Sequence, residues 1–427
     1  PFELTEEQLK AIKEVEKDMA SDKTMNRLLE GDVGSGKTIV ALYALLLTVK
    51  NGYQGAIMAP TEILARQHYI TMSELLMPIG INVRLLISGI PKDKKDEIKD
   101  EIKTGEVDVV IGTHALIQED VAYNKLGLIV VDEQHKFGVK QRTLFKGKGQ
   151  NPDVLIMTAT PIPRTLALTV YGDLDISIIK QLPHGRRPIT TFWVEEEKRS
   201  MVYEFIREEV KKGRQVYIVY PRILEKRDSN LKAATSMYEK IRREVFPDLK
   251  VGIVHGKMSS SEKEDVMKKF KRSDFNILIS TVVIEVGIDI SNTSVMVIEN
   301  AERFGLAQLH QLRGRIGRGH HESYCILLGN PTNESAEKRL SKMIETQDGF
   351  EIAEEDLDIR GPGEFFGTRQ HGLPELRVGN LVKDFAIMED ARKEAFELIS
   401  KDPTLNDPRN VTIKRNIINR FKFKNMG

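Results

Sequence analysis

The sequence predicts an α/β fold: two parallel-sheet lobes in tandem, followed by a mostly helical C-terminal appendage. Short runs rich in Val and Ile alternate with longer amphipathic stretches from Leu28 to Thr160. The same alternation resumes beyond a segment containing Pro183, Gly185 and Pro188, and it stops after about Pro331. Short apolar runs without polar alternation belong to strands buried on both faces, as in a parallel sheet covered by helices.

In the first lobe the strand-like runs are 56–59, 84–87, 107–111, 128–131 and 154–157, with helical stretches at 61–76 and 92–103. The second lobe repeats the pattern with strands at 215–220, 251–254, 277–280, 295–298 and 324–328. Helices at 198–212, 231–244 and 260–270 separate them. The Pro- and Gly-containing segment between the halves reads as a linker. Beyond it, 337–346 and 383–400 look helical, with the Gly-rich Arg360-Gly361-Pro362-Gly363-Glu364 between them. That is too short for a third α/β lobe. The expected domains are therefore 1–182, 183–334 and 335–427.

A chain of 427 residues has room for two or three domains. With 40% hydrophobic and 30% charged residues it suits soluble packing rather than disorder. The longest apolar run, Ile39 to Val49, is about half a membrane span, and no signal-peptide pattern is present. A cytoplasmic protein with no membrane partner is expected. The lone Cys325 rules out an internal disulfide and a Cys-rich metal site. Because 64 basic residues offset 63 acidic ones, any nucleic-acid surface must be a local stripe. The tail from Arg409 to Gly427, basic and without acid, reads either as such a stripe or as a solvated terminus. The chain begins at Pro1 without a Met and is expected to be a piece of a longer protein.

Chemistry concentrates at two distant places. Gly31-Asp32-Val33-Gly34-Ser35-Gly36-Lys37-Thr38 matches a phosphate-binding loop in full. Its glycines turn backbone N–H groups to the phosphates, Lys37 reaches the β/γ-phosphates, and Thr38 reaches Mg²⁺. An apolar helix follows, so its dipole faces the same anion. The run 128–131 leads into Asp132-Glu133, where an acid at a strand end suits the metal and its neighbour suits the attacking water. Far downstream, Gln311-Leu-Arg-Gly-Arg-Ile-Gly-Arg supplies Arg315 and Arg318 as candidate fingers, with Gln311 as a further catalytic candidate. A solvated or DNA-facing arginine cluster is the plainer reading. ATP and Mg²⁺ are the expected cofactors.

Taken in order, GDVGSGKT, APTEILARQH, GTHALI, VVDEQHKFGV, MTATPIPRTLALT, ISTVVIEVGIDI and QLHQLRGRIGRG resemble the helicase core of superfamily two. The DEQH spelling, the GDVGSGKT loop and TATPIPRTLAL together are similar to the RecG family of branched-DNA translocases. The segment from Glu337 to Gly372 resembles the translocation motif that this family shares with the Mfd-type transcription-repair translocases. This resemblance implies that both lobes are RecA-like. It implies that Phe2 and Gln8 read the adenine, although a helix staple and a surface Gln would look the same. It places Gly287 and Asp289 at the ribose, where a turn glycine and a capping Asp are the alternative. Thr158 and Thr160, hydrogen-bonding near His135, would link the ATP and DNA sites, or else cap the Pro161 turn. Pro60, Thr61, Thr113, His114, His255, Gly256 and Thr281 match positions that hold the nucleic-acid backbone, and Arg360 and Gln370 match those that couple lobe closure to duplex DNA.

The resemblance therefore implies an ATP-dependent double-stranded DNA translocase that remodels stalled forks and Holliday junctions in recombination and repair. Double-stranded and branched DNA are the expected partners. A monomer is expected, with a single-stranded-DNA-binding protein as a candidate partner. The family's N-terminal wedge domain, which splits the arms of a fork, has no counterpart in this sequence. The alternatives are an Mfd-type translocase and an ATP-gated DNA clamp that lacks unwinding.

Overall fold

The computed structural model describes residues 3–133, 147–149, 151–159, 174–183, 187–221, 237–281, 290–319, 321–365 and 384–424. The chain forms two compact units, Pro1–Ile162 with Leu174–Arg360, and Pro163–Asp173 with Gly361–Gly427. Both α/β lobes lie in the first unit.

The first lobe holds seven strands: β1 (Asn26–Gly31), β2 (Gln54–Met58), β3 (Val83–Leu86), β4 (Val109–Gly112), β5 (Leu126–Asp132), β6 (Asp153–Thr158) and β7 (Asp175–Ile179). They run parallel in the order β3-β4-β2-β5-β6-β1-β7. Helices α2 (Lys37–Lys50), α3 (Glu62–Leu76) and α4 (Lys92–Thr104) make crossovers, and α1 (Glu6–Met19) precedes β1. Ala11, Ile12 and Val15 of α1, Val40, Ala41, Ala44 and Leu45 of α2, and Ala65, Met72 and Leu76 of α3 share one core with Leu29, Ile57, Val130 and Leu155 of the sheet.

The second lobe has six parallel strands in the order β10-β11-β9-β12-β13-β8. These are β8 (Ile189–Val194), β9 (Gln215–Tyr220), β10 (Val251–Val254), β11 (Ile277–Thr281), β12 (Thr293–Glu299) and β13 (Ser323–Leu328). Alternate residues serve opposite faces. Val216 and Ile218 pack with Val202, Ile206 and Val210 of α5 (Arg199–Lys211), while Tyr217 and Val219 pack with Phe270 of α6 (Ser260–Lys271) and Leu309 of α7 (Leu306–Arg313). Leu340 and Met343 of α8 (Glu334–Glu345) join that second core, as does Ile352 of α9 (Gly349–Phe365). Cys325 is fully buried there, and burial pushes its thiol up to about 12.

The α/β reading is borne out, and three strands exceed the apolar-run expectation. β1 escapes it because Arg27 and Glu30 interrupt its apolar character. Arg27 is nonetheless buried, donating to Asp18 at 2.6 Å and to Ser177 of β7 at 2.8 Å. β7 has polar Asp175 and Ser177, and β8 is a sheet edge with exposed positions. The Gly-rich segment 360–364, expected between helices, falls within α9, so low Gly and Pro propensity does not end the helix there. Of the helix expected at 231–244, residues 231–236 lie outside the described residues; helix at 237–240 leads into a π-turn at Ile241–Val245.

In the second unit, α10 (Phe385–Lys401) and α11 (Val411–Lys424) flank a turn held by the Asp402 carboxylate. It accepts from the backbone N–H groups of Asn406 and Asp407 at 3.0 and 2.9 Å and from Asn410 Nδ2 at 3.0 Å. Among the described residues no helix is long and apolar enough to cross a membrane.

Gly112 closes β4 where a side chain has no room: a Cβ there would lie 2.1 Å from the Leu86 carbonyl oxygen of β3. Gly112→Ala is expected to destabilise the first lobe by about 1–3 kcal/mol. Urea unfolding checks this; an unshifted midpoint would refute it.

Candidate active site

The phosphate loop is built by β1 and α2. Gly34 and Gly36 take positive φ of 78° and 85°, and Gly36 is the N-cap of α2. No side chain fits at Gly36, since a Cβ would meet Gln8 Nε2 at 2.2 Å. Gln8 itself is tied down at both ends. Its Oε1 accepts from the Thr5 backbone N–H at 2.9 Å, in a capping box, and its Nε2 donates to the Ser35 carbonyl at 2.8 Å. The residue is 3% exposed, so it is a buried brace on the loop rather than a surface Gln.

Lys37 lies at the start of α2, its Nζ donating to the carbonyls of Gly31 and Asp32 at 2.7 and 2.9 Å. Burial is the largest influence on this ammonium and holds it below the ordinary lysine range, against Glu133, Asp132 and Asp32, which raise it. Asp132 ends β5. Burial pushes its carboxyl up, but the His68 hydrogen bond and charge, with Lys37, outweigh burial and hold it below the usual carboxylate range. His68 Nε2 stands 2.7 Å from Asp132 Oδ2. Glu133 follows with φ 51°, a left-handed conformation costing of order 1–3 kcal/mol in a non-glycine residue.

A cavity of about 650 Å³ brings these groups together with the second lobe. Gly34, Gly36, Lys37, Thr38, Asp132 and Glu133 line it from the first lobe, with Gln8 and His68, while Arg315 and Arg318 line it from the second. The cavity wall also includes Gln67 and Pro183. Burial, then the neighbouring Arg318, lowers the Arg315 guanidinium, and Glu133 pulls it back up. Gln311 lies half-buried on α7 and is not in the cavity wall. Ser35 is fully buried inside the loop, and Gly31 leaves no space for a Cβ, which would fall 2.6 Å from Ser35 Oγ. Across the lobes, Gly314 faces Val33 so closely that a Cβ there would lie 2.7 Å from Val33 Cβ.

The expected backbone-holding residues stand at the carboxyl ends of strands. Pro60 and Thr61 follow β2, Thr113 and His114 follow β4, His255 and Gly256 follow β10, and Thr281 ends β11. Thr61 also N-caps α3, its hydroxyl accepting from Leu64 N at 3.4 Å. The Thr113 hydroxyl and His255 Nδ1 are buried without a hydrogen-bond partner among the described residues. Burial, then Lys263, lowers the His255 imidazole. Arg66 of α3 and Glu264 of α6 bridge the lobes at 3.6 Å. Thr158 ends β6 and is buried. Phe2, His135, Thr160, Gly287, Asp289 and Gln370 lie outside the described residues, as does the side chain of Arg360.

Sequence reasoning missed His68. A signal for it existed: His68 interrupts the buried stripe Ala65, His68, Met72, Leu76 of α3, where a polar residue needs a partner.

The DEAD/DEAH box helicase model matches residues 5–169, the helicase conserved C-terminal domain matches 197–320, and the model of ATP-dependent DNA helicase RecG, domain 3, C-terminal, matches 346–426. The chain is 52% identical over 398 residues to the ATP-dependent DNA helicase RecG of Thermotoga maritima, covering 93% of this chain and 51% of that one. It is 46% identical over 418 residues to that of Bacillus subtilis, covering 98% and 61%. A solved structure of RecG bound to a three-way DNA junction superposes with a TM-score of 0.75 at 48% identity, over 91% of this chain and 51% of that one. The chain thus spans about half the length of these relatives, and its two lobes are RecA-like. Matched by the RecG-specific domain model and by close relatives along nearly all of its length, the chain belongs to the RecG family.

Proposed function

We propose that this chain is the ATP-driven motor core of a double-stranded DNA translocase that remodels branched DNA. One observation carries the reading: a single cavity receives Lys37, Asp132 and Glu133 from one sheet and Arg315 and Arg318 from the other. Phosphoryl transfer needs little covalent chemistry and much positioned charge, and this cavity supplies it from two separate bodies.

The N–H groups at the start of α2 face the phosphates, and Lys37 turns its ammonium from the loop carbonyls to the β/γ-phosphates. Arg315 and Arg318 meet the charge that develops on the transferred group, a contribution of roughly 10³–10⁵ in related enzymes. Glu133 orients or deprotonates the attacking water. Thr38 and Asp132 would hold Mg²⁺, which when bound neutralises phosphate oxygens; the carboxylate that His68 keeps ionised suits such a hard cation. Gln8 and Phe2 read the adenine, and Gly287 and Asp289 the ribose. Closure of the lobes then travels through His135, Thr158 and Thr160 to the DNA edge, and through Arg360 and Gln370 to the duplex.

Pro60, Thr61, Thr113, His114, His255, Gly256 and Thr281 take the phosphate backbone. Small hydroxyls, backbone N–H groups and imidazoles at strand ends fix register without reading sequence. The relative solved on a three-way junction supports a branched substrate.

Lys37→Ala or Arg318→Ala should lower DNA-stimulated ATP turnover by at least about 10³-fold. Near-normal turnover in either variant would sink the motor reading. Duplex affinity should fall steeply between low and moderate salt, because phosphate contacts release counterions. A flat response, measured by fluorescence anisotropy, would remove the backbone-tracking role. Turnover measured side by side without DNA, on linear duplex and on forked DNA should rise in that order; equal rates on duplex and fork would remove branch recognition from this portion.

A further inference from the structure

A polar chain crosses between the lobes beside the phosphate loop. The Asp32 carboxylate accepts from the Val33 N–H at 2.6 Å, and the same oxygen stands 2.5 Å from His310 Nε2 of α7. His310 Nδ1 stands 3.1 Å from Arg313 Nη2. Arg313 Nη1 donates onward to the carbonyls of Met343 and Thr346, at 2.7 and 3.0 Å. The Asp32 and His310 side chains are 16% and 6% exposed, and Arg313 is 2% exposed. None of the three lines the cavity.

Hydrogen counting fixes the direction of the chain. A guanidinium only donates, so His310 Nδ1 accepts from Arg313 and Nε2 carries the ring proton toward Asp32. Burial pushes the Asp32 carboxyl up, yet the bond from His310, then the Val33 N–H and Lys37, hold it below the usual range and keep it an acceptor. The backbone of the same Asp32 accepts from Lys37. His310 is only five residues ahead of Arg315. One contact therefore ties the lysine-bearing loop to the arginine-bearing segment.

We propose that Asp32 and His310 form an inter-lobe latch that sets Arg315 and Arg318 over the phosphate loop, with Arg313 fixing the imidazole. This deepens the reading of the cavity as an ATP site and rests on it. Asp32 and His310 act as positioning residues, since they reach the reaction through the loop and the arginines. A buried hydrogen bond to a charged group shifts an equilibrium by about tenfold or more, so its loss should weaken closure by that factor.

The test is DNA-stimulated ATPase of the 427-residue chain in wild type, Asp32→Ala, His310→Ala, the double variant, His310→Gln and, as control, Lys37→Ala. Each Ala variant should lose about tenfold in kcat/KM, with KM for ATP raised. The double variant should be no worse than the poorer single, because both remove one interaction. His310→Gln, whose amide nitrogen can take the place of Nε2, should recover most of the loss; it also carries the test if His310→Ala fails to fold, shown by circular dichroism. Losses that multiply in the double variant, or wild-type kinetics in the single ones, overturn the latch while Lys37→Ala still reports an ATP site. An inactive wild type, or a Lys37→Ala variant as active as wild type, overturns the ATP reading and the latch with it.

Discussion

A parallel sheet delivers the carboxyl end of every strand to one edge, and the chemistry of this chain stands on those edges. In the first lobe β1 runs into the phosphate loop, β5 into Asp132 and β6 into Thr158, while β2 and β4 run into Pro60, Thr61 and Thr113. β6 lies between β1 and β5, so the loop and the carboxylate stand two strand spacings apart, roughly 9–10 Å. A nucleotide's phosphates and their cation fit such a gap. The opposite side of the same sheet order, β2 and β4, carries the backbone-holding candidates. One folding constraint thus separates the phosphate-loop edge from the edge that carries those candidates, without any dedicated scaffold.

Charge burial explains why the ATP edge needs a second lobe. Lys37 is taken out of water, a cost that its bonds to Gly31 and Asp32 and the nearby carboxylates offset. Arg318 works against it, and Arg315 and Arg318 work against each other. Like charges brought this close are held by the packing around them, through Leu306, Leu309 and Leu312 of α7 in the core of the second sheet. An anion entering the cavity relieves that repulsion. Its binding therefore favours the arrangement in which both lobes contribute, which is what a differential affinity for the closed state requires.

Much of this was readable from residue order alone, and the misses have physical causes. Lys37, Thr38, Asp132, Glu133, Arg315 and Arg318 follow from spacing and residue type, and the cavity wall includes all six. Strands β2, β4, β5 and β9 to β13 are apolar enough to announce themselves. β1 is not, because Arg27 is neutralised by Asp18, nine residues earlier on a helix whose packing no local pattern reveals. His68 was hidden differently. It lies in an apolar helical stripe as though it were core, and its partner comes from a distant strand. Asp32 and His310 are 278 positions apart, and only the docking of two separately folded sheets makes them neighbours.

The close approach at Gly314 bears on how freely those sheets can part. Its neighbour Val33 is β-branched and stiff at χ1, and it sits between Asp32 and Gly34, where the backbone is already committed to the phosphate loop. Any side chain at Gly314 would hold the lobes apart beside the cavity that Arg315 lines. Among the described residues, the lobes meet beside the loop through Gly314 on Val33 and through the Asp32–His310 contact. A contact of that kind can form and break within each cycle of turnover, whereas burying large apolar side chains between the lobes would favour a permanently closed form. Cyclic motion calls for an interface strong enough to select the closed state when phosphate is held and weak enough to release it afterward. In the proposed cycle, Asp32, His310, Val33 and Gly314 would together supply such an interface.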